Sequence, residues 1–306
     1  MRNKRIIPGA WHHVYSITQD GGVLFYRISD RLSFYTIVSV CSRRFMITVL
    51  GISLMFTHFH MMLRAVDIAH LRTFVGTVLS IFTRVINADR RQSGALFKRP
   101  FGRAMRVSDK EKRSSIIYLL NNPVEKRLVS KATEDRWTFL AFYVEAYPFT
   151  PKLVKRNVSF RLRCACDYVD GEYAAGRYLL PSALRRLFNP LTRAEQEQLC
   201  DYIINKYRFI AYDEVIELFG GEKKLTLATE ASAGKEFDVG ETFDPHSDVP
   251  YREMATLASR KSLFDDWKLL HLEDAERDKL VKLFLDSTTA NETQVRKFFH
   301  CLPVKA

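Results

Sequence analysis

Nineteen consecutive residues, Phe45 to Leu63, carry no charged side chain. A run of that length approaches what a membrane-spanning helix needs. It contains Thr57, His58 and His60, however, and Gly51 can turn the chain midway. Two successive buried strands, at about 44–51 and 54–64, account for it better than a span does. Side chains alternate faces along a strand, so His58 and His60 present two imidazoles side by side, with Phe59 on the other face. Adjacent neutral imidazoles in a dry setting suit a divalent metal ion. The alternative is a pair of core histidines satisfied by backbone carbonyls.

About sixty residues on, Ser114 to Val124 follows a charged stretch, Ser108 to Arg113. Ser108 or Asp109 is a fitting N-cap for a helix that runs to Asn121 or Asn122, where Pro123 disfavours continuation. On that helix Tyr118 and Asn122 are four residues apart and share a face. Tyrosine can act as a nucleophile, and asparagine offers a neutral oxygen. A tyrosine in an amphipathic helix is, on the other reading, simply core. His12 and His13 fall in a first strand, so one of them must face the far side of the sheet. His70 opens a helix after Asp67 and reads as surface.

With these residues in place, the chain resembles the REP-associated tyrosine transposases, within the insertion-sequence 200-like single-tyrosine HUH transposases. The resemblance rests on His58-Phe59-His60 followed by Tyr118-Leu119-Leu120-Asn121-Asn122-Pro123-Val124, in the family's order and at a typical separation. Pro8 to Tyr15, Gly94 to Phe101 and Asp135 to Tyr143 resemble further family segments, and the likeness covers about residues 5–145. Phe56 and Thr57 stand where the family usually has proline and asparagine, and Phe97 where tryptophan is common. The resemblance implies a metal-dependent enzyme that cuts and rejoins single-stranded, hairpin-bearing DNA. Tyr118 would form a 5′-phosphotyrosine, and His58, His60 and Asn122 would hold Mg²⁺ or Mn²⁺. It implies a bacterial cytoplasmic or nucleoid setting and leaves monomer or homodimer open. A domesticated DNA-binding regulator on the same fold is the alternative.

Charge is split unevenly. Residues 1–150 hold 23 Lys and Arg against 10 Asp and Glu; residues 151–306 hold 24 against 25. The basic excess therefore lies wholly in the first half, as a phosphate-binding surface requires. No basic amphipathic helix points to a membrane surface. Candidate DNA contacts are Arg43, Arg44, Lys98, Arg99, Arg103 and Arg106, the last four interleaved with Phe97 and Phe101 in a manner suited to single strands. Five scattered cysteines argue against a disulfide framework, and Cys164-x-Cys166 lacks the second pair that a zinc site needs. A reducing compartment follows.

The expected fold class is α+β. Residues 1–148 would form a ferredoxin-like HUH endonuclease sandwich, an antiparallel sheet with helices on one face. Residues 149–306 would form a mostly helical C-terminal region. Gly220 to Tyr251 reads as a long loop. At 268–302 two short helices suggest a helix-turn-helix, whose Gln294, Arg296 and Lys297 could enter a major groove; a helical hairpin that merely packs is the alternative.

Overall fold

The computed structural model describes residues 7, 9–232 and 247–301. Pro8, Leu302 and residues 233–246 of the expected loop lie outside the described residues. The first half runs β1 (Trp11–Ile17), α1 (Ile28–Phe45), β2 (Thr48–Leu54), β3 (His58–Arg64), α2 (Ile68–Arg90), β4 (Gly102–Arg106) and α3 (Asp109–Glu125). The fold is α+β, with one four-stranded antiparallel sheet in the order β2-β3-β1-β4. The apolar run is thus two paired strands. Among the described residues no helix is long and apolar enough to cross a membrane.

Alternation along the strands divides the sheet into two faces. Phe59, Met61 and Leu63 point to the layer formed by α1 and α2; Phe34 of α1 lies 4.7 Å from Phe59, ring centre to ring centre. The opposite face carries His58 and His60 and is crossed by α3. Helices therefore lie on both faces, where the sequence suggested one. Gly51 allows this close approach: a Cβ there would sit 3.5 Å from Leu119 and 3.6 Å from Ile116. Ser108 caps α3 through a reciprocal pairing with Glu111. The helix continues past Asn122 to Glu125 because Pro123, in the last turn, removes one amide while Lys126 N–H still reaches the Asn122 carbonyl (3.0 Å).

The second half is helical: α4 (Ala141–Val144), α5 (Phe160–Ala174), α6 (Pro181–Phe188), α7 (Arg193–Lys206), α8 (Tyr212–Phe219), α9 (Glu222–Ala231), α10 (Val249–Arg260), α11 (Asp274–Ser287) and α12 (Glu292–Phe298). Helix α9 occupies part of what the sequence suggested was loop. Helices α5 to α9 share one apolar core with the sheet. Tyr35 of α1 donates to the Ile204 carbonyl (3.1 Å), and Ala211 N–H bonds Val49 of β2 (2.8 Å). A second cluster joins α10, α11 and α12 to Val23, Tyr26 and Phe56. It is tied down where the Tyr26 hydroxyl donates to the Phe298 carbonyl.

Candidate active site

Register builds the site. Residues directly opposite in an antiparallel pair share a face. His60 stands opposite Tyr15 of β1 and Ser53 of β2, and His58 opposite Ile17. One step along β1, His13 joins the same face, while His12 is turned to the α1/α2 side. The His13 and His60 rings stack with centres 5.2 Å apart, and His13 Nε2 lies 3.2 Å from His60 Nδ1, one nitrogen carrying the shared proton. Tyr118 comes down from α3 onto this pair. Its ring centre is 5.4 Å from His60 and 5.8 Å from His13, edge-on to both. The His58 ring stands edge-on to His60 at 4.8 Å, and Thr57 Oγ1 lies 2.9 Å from His58 Nδ1.

Tyr15 closes the group, 6.2 Å from His60 and 6.0 Å from His13. Its ring lies over Gly102 of β4, so close that a Cβ there would fall 2.0 Å from Tyr15 Cζ. Only glycine leaves room for it.

The electrostatics keep His60 neutral. Burial, and then the positive charge of Lys126, push His60 down to about 3. A neutral imidazole keeps a lone pair that can accept a proton or a cation. Lys126 ends α3, and its carbonyl accepts from Asp248 N–H (3.0 Å) and Ser247 Oγ (3.2 Å). The segment leading into α10 is thereby tied to the end of the tyrosine helix. Glu125, two turns beyond Tyr118 on the same helix stripe, is pushed up to about 7 by burial.

Of the suggested metal ligands, His58 and His60 adjoin as expected. Asn122 is buried, and its Nδ2 donates to the Tyr118 carbonyl (3.1 Å), which leaves its oxygen as the end that can accept a cation. Its neighbour Asn121 is committed elsewhere, donating to the Thr229 carbonyl of α9 (2.9 Å). Among the described residues no group of three or more His, Cys, Asp and Glu side chains gathers as a ligand set. His58 and His60 would offer a cation two imidazole nitrogens, and Asn122, one turn of α3 beyond Tyr118, would add an amide oxygen; such a donor set fits Mn²⁺ better than Mg²⁺. Cys41, Cys166 and Cys200 are buried, and burial pushes their thiols up to about 11, 12 and 12.

The suggested DNA contacts scatter. Lys98 and Arg99 are exposed at the His58 end of the sheet, where Lys98 N–H bonds the carbonyl of Ile17 (3.0 Å). Arg106 lies on the tyrosine face at the other end, opposite Trp11. Arg103 does not share that face: alternation turns it toward His12 (Nη1 to Nδ1, 3.3 Å). Arg43 and Arg44 also fall away from the site. They end α1 beside the Thr48–Arg64 pair, six residues and about 20 Å along β3 from His58. Arg43 packs over the Tyr173 ring (4.6 Å) and Arg44 over Phe45 (5.9 Å). Gln294 cannot read a groove. It is buried, its amide nitrogen donates to the Ser247 carbonyl (2.7 Å), and its oxygen accepts from Asn291 N–H (3.1 Å). Arg296 pairs with Glu292 (2.8 Å), and the Lys297 carbonyl accepts from Val23 N–H (3.2 Å). With Val295 and Phe298 also buried, α12 is a packing helix.

His13, Tyr15, Gly102 and Lys126 were not singled out from sequence as parts of the site. Strand pairing gathers the first three, and no spacing within a single segment reveals that. Compared with known protein families, curated proteins and solved structures, the chain finds no match.

Proposed function

We propose that the chain is a metal-dependent transferase of single-stranded DNA, with Tyr118 as nucleophile. The observation that carries this reading is the meeting of Tyr118 with His60 and His13 on one face of the sheet. The element order β-α-β-β-α-β, with β3 and β1 central, supports it as the order of a ferredoxin-like sandwich.

In this reaction the Tyr118 oxygen attacks a backbone phosphorus. The new O–P bond forms as the bond to the 3′-oxygen breaks, and that oxygen leaves as a 3′-hydroxyl after taking a proton. The product is a 5′-phosphotyrosine, so a second 3′-hydroxyl can reverse the step without an external energy source. A phenol has a pKa near 10, so a neutral base must relieve it of its proton near pH 7. Burial makes His60 a weak base, so His13, edge-on to Tyr118 at 5.8 Å, is the imidazole placed for that. Lys126 supplies fixed positive charge beside the phosphate. A divalent cation held by His58, His60 and Asn122 would draw charge from a non-bridging oxygen. Substrates are single strands bearing hairpins, and the setting is the bacterial cytoplasm.

The test is a labelled hairpin-bearing strand incubated with the protein and Mn²⁺, then resolved under denaturing conditions. The reading expects a covalent protein–DNA band that vanishes in Tyr118→Phe while DNA binding persists. Full cleavage by Tyr118→Phe overturns it. One observation favours the second reading, a regulator that binds without cutting: the Asn122 amide is spent partly on its own helix. That reading expects binding by the unaltered protein and no band.

A further inference from the structure

On the other side of the β2–β3 turn lies a cleft of about 1760 Å³, bounded by α1, α2, α6, α7 and α10. That exceeds the ~300–1,000 Å³ typical of a small-molecule pocket and leaves room for an extended chain. Among the described residues, nine arginines line it against four carboxylates, with no lysine. Some of these are spent internally: Arg185 grips Asp89 (2.6 Å), and Arg31 is buried over the Phe56 ring (4.5 Å). Arg252 of α10 is exposed but donates to the Leu128 carbonyl (2.8 Å). Four others are exposed, and among the described residues they have neither a carboxylate nor a carbonyl partner: Arg84 of α2, Arg186 of α6, Arg193 of α7 and Arg260 of α10. Four unneutralised guanidiniums on four helices, facing one trench, make a track for an extended polyanion. Phe56 lines the cleft and precedes His58 by two residues, about 7 Å of chain. The trench therefore opens beside the turn that enters the histidine strand.

We propose that this cleft holds the phosphate backbone of a DNA strand whose continuation passes round the Phe56–Thr57 turn to Tyr118. The inference deepens the reading of the Tyr118 site by naming where its substrate is gripped. The C-terminal helices contribute this grip through α6, α7 and α10, and not through α12. Continuity with the Tyr118 face favours nucleic acid over an acidic peptide.

The experiment measures binding of a fluorescent hairpin-bearing strand to full-length protein across salt concentrations. It compares the unaltered chain, the quadruple variant Arg84→Gln/Arg186→Gln/Arg193→Gln/Arg260→Gln, and a control, Lys279→Gln/Lys282→Gln, on exposed α11. The double variant Arg84→Gln/Arg186→Gln serves if the quadruple one melts early. Neutralising four phosphate contacts lowers the slope of log K against log salt by about 3, and affinity at moderate salt by about 100-fold. Half that slope change is expected for the double variant, and less than twofold loss for the control. An equal loss in the control overturns the cleft, as does an unchanged slope in the arginine variants. So does polyglutamate that competes as well as DNA, or no DNA binding at all. A Tyr118→Phe protein that binds with the full arginine dependence, from a parent that forms no covalent band, leaves the cleft standing and removes the catalytic reading. Unaltered DNA affinity in the quadruple variant, with the covalent band intact, does the reverse.

Discussion

His12 and His13 are consecutive, yet they face opposite sides of the sheet and do different work. His13 belongs to the ring cluster around Tyr118. His12 is buried on the α1/α2 side, where burial and then Arg103 push it down to about 4. Its folded pKa lies below its unfolded value near 6.5, so the unfolded chain binds the proton first. The stability His12 contributes is whole above pH 6.5 and is lost as pH falls toward 4, at about 1.4 kcal/mol per unit. Glu125 and Asp135, raised to about 7 and 6 by burial, act in the opposite sense, so the His12 part is read as a difference. Thermal or urea unfolding of the unaltered protein and His12→Gln should diverge less and less from pH 7 to 4; a constant gap contradicts this. Gly102 tests the ring cluster. Gly102→Ala forces Tyr15 off β4, and the overpacking should cost about 1–3 kcal/mol and depress covalent-band formation. Gly102→Ala with Tyr15→Ala should recover much of the stability, and failure to do so would show that the strain lies elsewhere.

At the scale of elements, α3 decides whether Tyr118 reaches the histidines. Two features seat it: the Ser108–Glu111 cap at its start and the Leu119–Gly51 contact at its middle. Ser108→Ala should destabilise by about 1 kcal/mol, and Leu119→Ala by about 2–5 kcal/mol, with covalent-band formation falling more steeply in the second. Chemical denaturation checks both, and equal costs would mean that the helix is not seated on β2. The alternation of Leu54 to Leu63, the cap of α3 and the start of α2 after Asp67 could be read from local pattern alone, because each is fixed within one segment. The pairing of His13 and Tyr15 with β3 could not, since it depends on strands about 45 residues apart. That Arg103 turns toward His12 and that Gln294 is buried also escape local pattern, for a related reason. A basic or amide residue in a short segment reads as exposed until its neighbours across space are known. Helix α9 was hidden by the small and acidic residues that surround it in the chain.

For the molecule as a whole, the helices beyond residue 148 complete the core that the sheet begins. Tyr35 is almost wholly buried, stacked 4.4 Å from Phe139 and bonded to Ile204. Residues 1–148 alone should therefore lack a cooperative thermal transition and expose apolar surface to a hydrophobic dye; a sharp transition matching the full chain would contradict this. The same helices form the arginine trench, so architecture and the proposed DNA grip stand together. The central claim is narrower: Tyr118 bonds covalently to a DNA phosphate. The most direct measurement is mass spectrometry of the protein after reaction with a hairpin-bearing strand and Mn²⁺, followed by nuclease and protease digestion. The account predicts a nucleotide phosphate on the peptide that contains Tyr118, at that residue. A phosphate on any other side chain, or none on protein that has bound the strand, contradicts it.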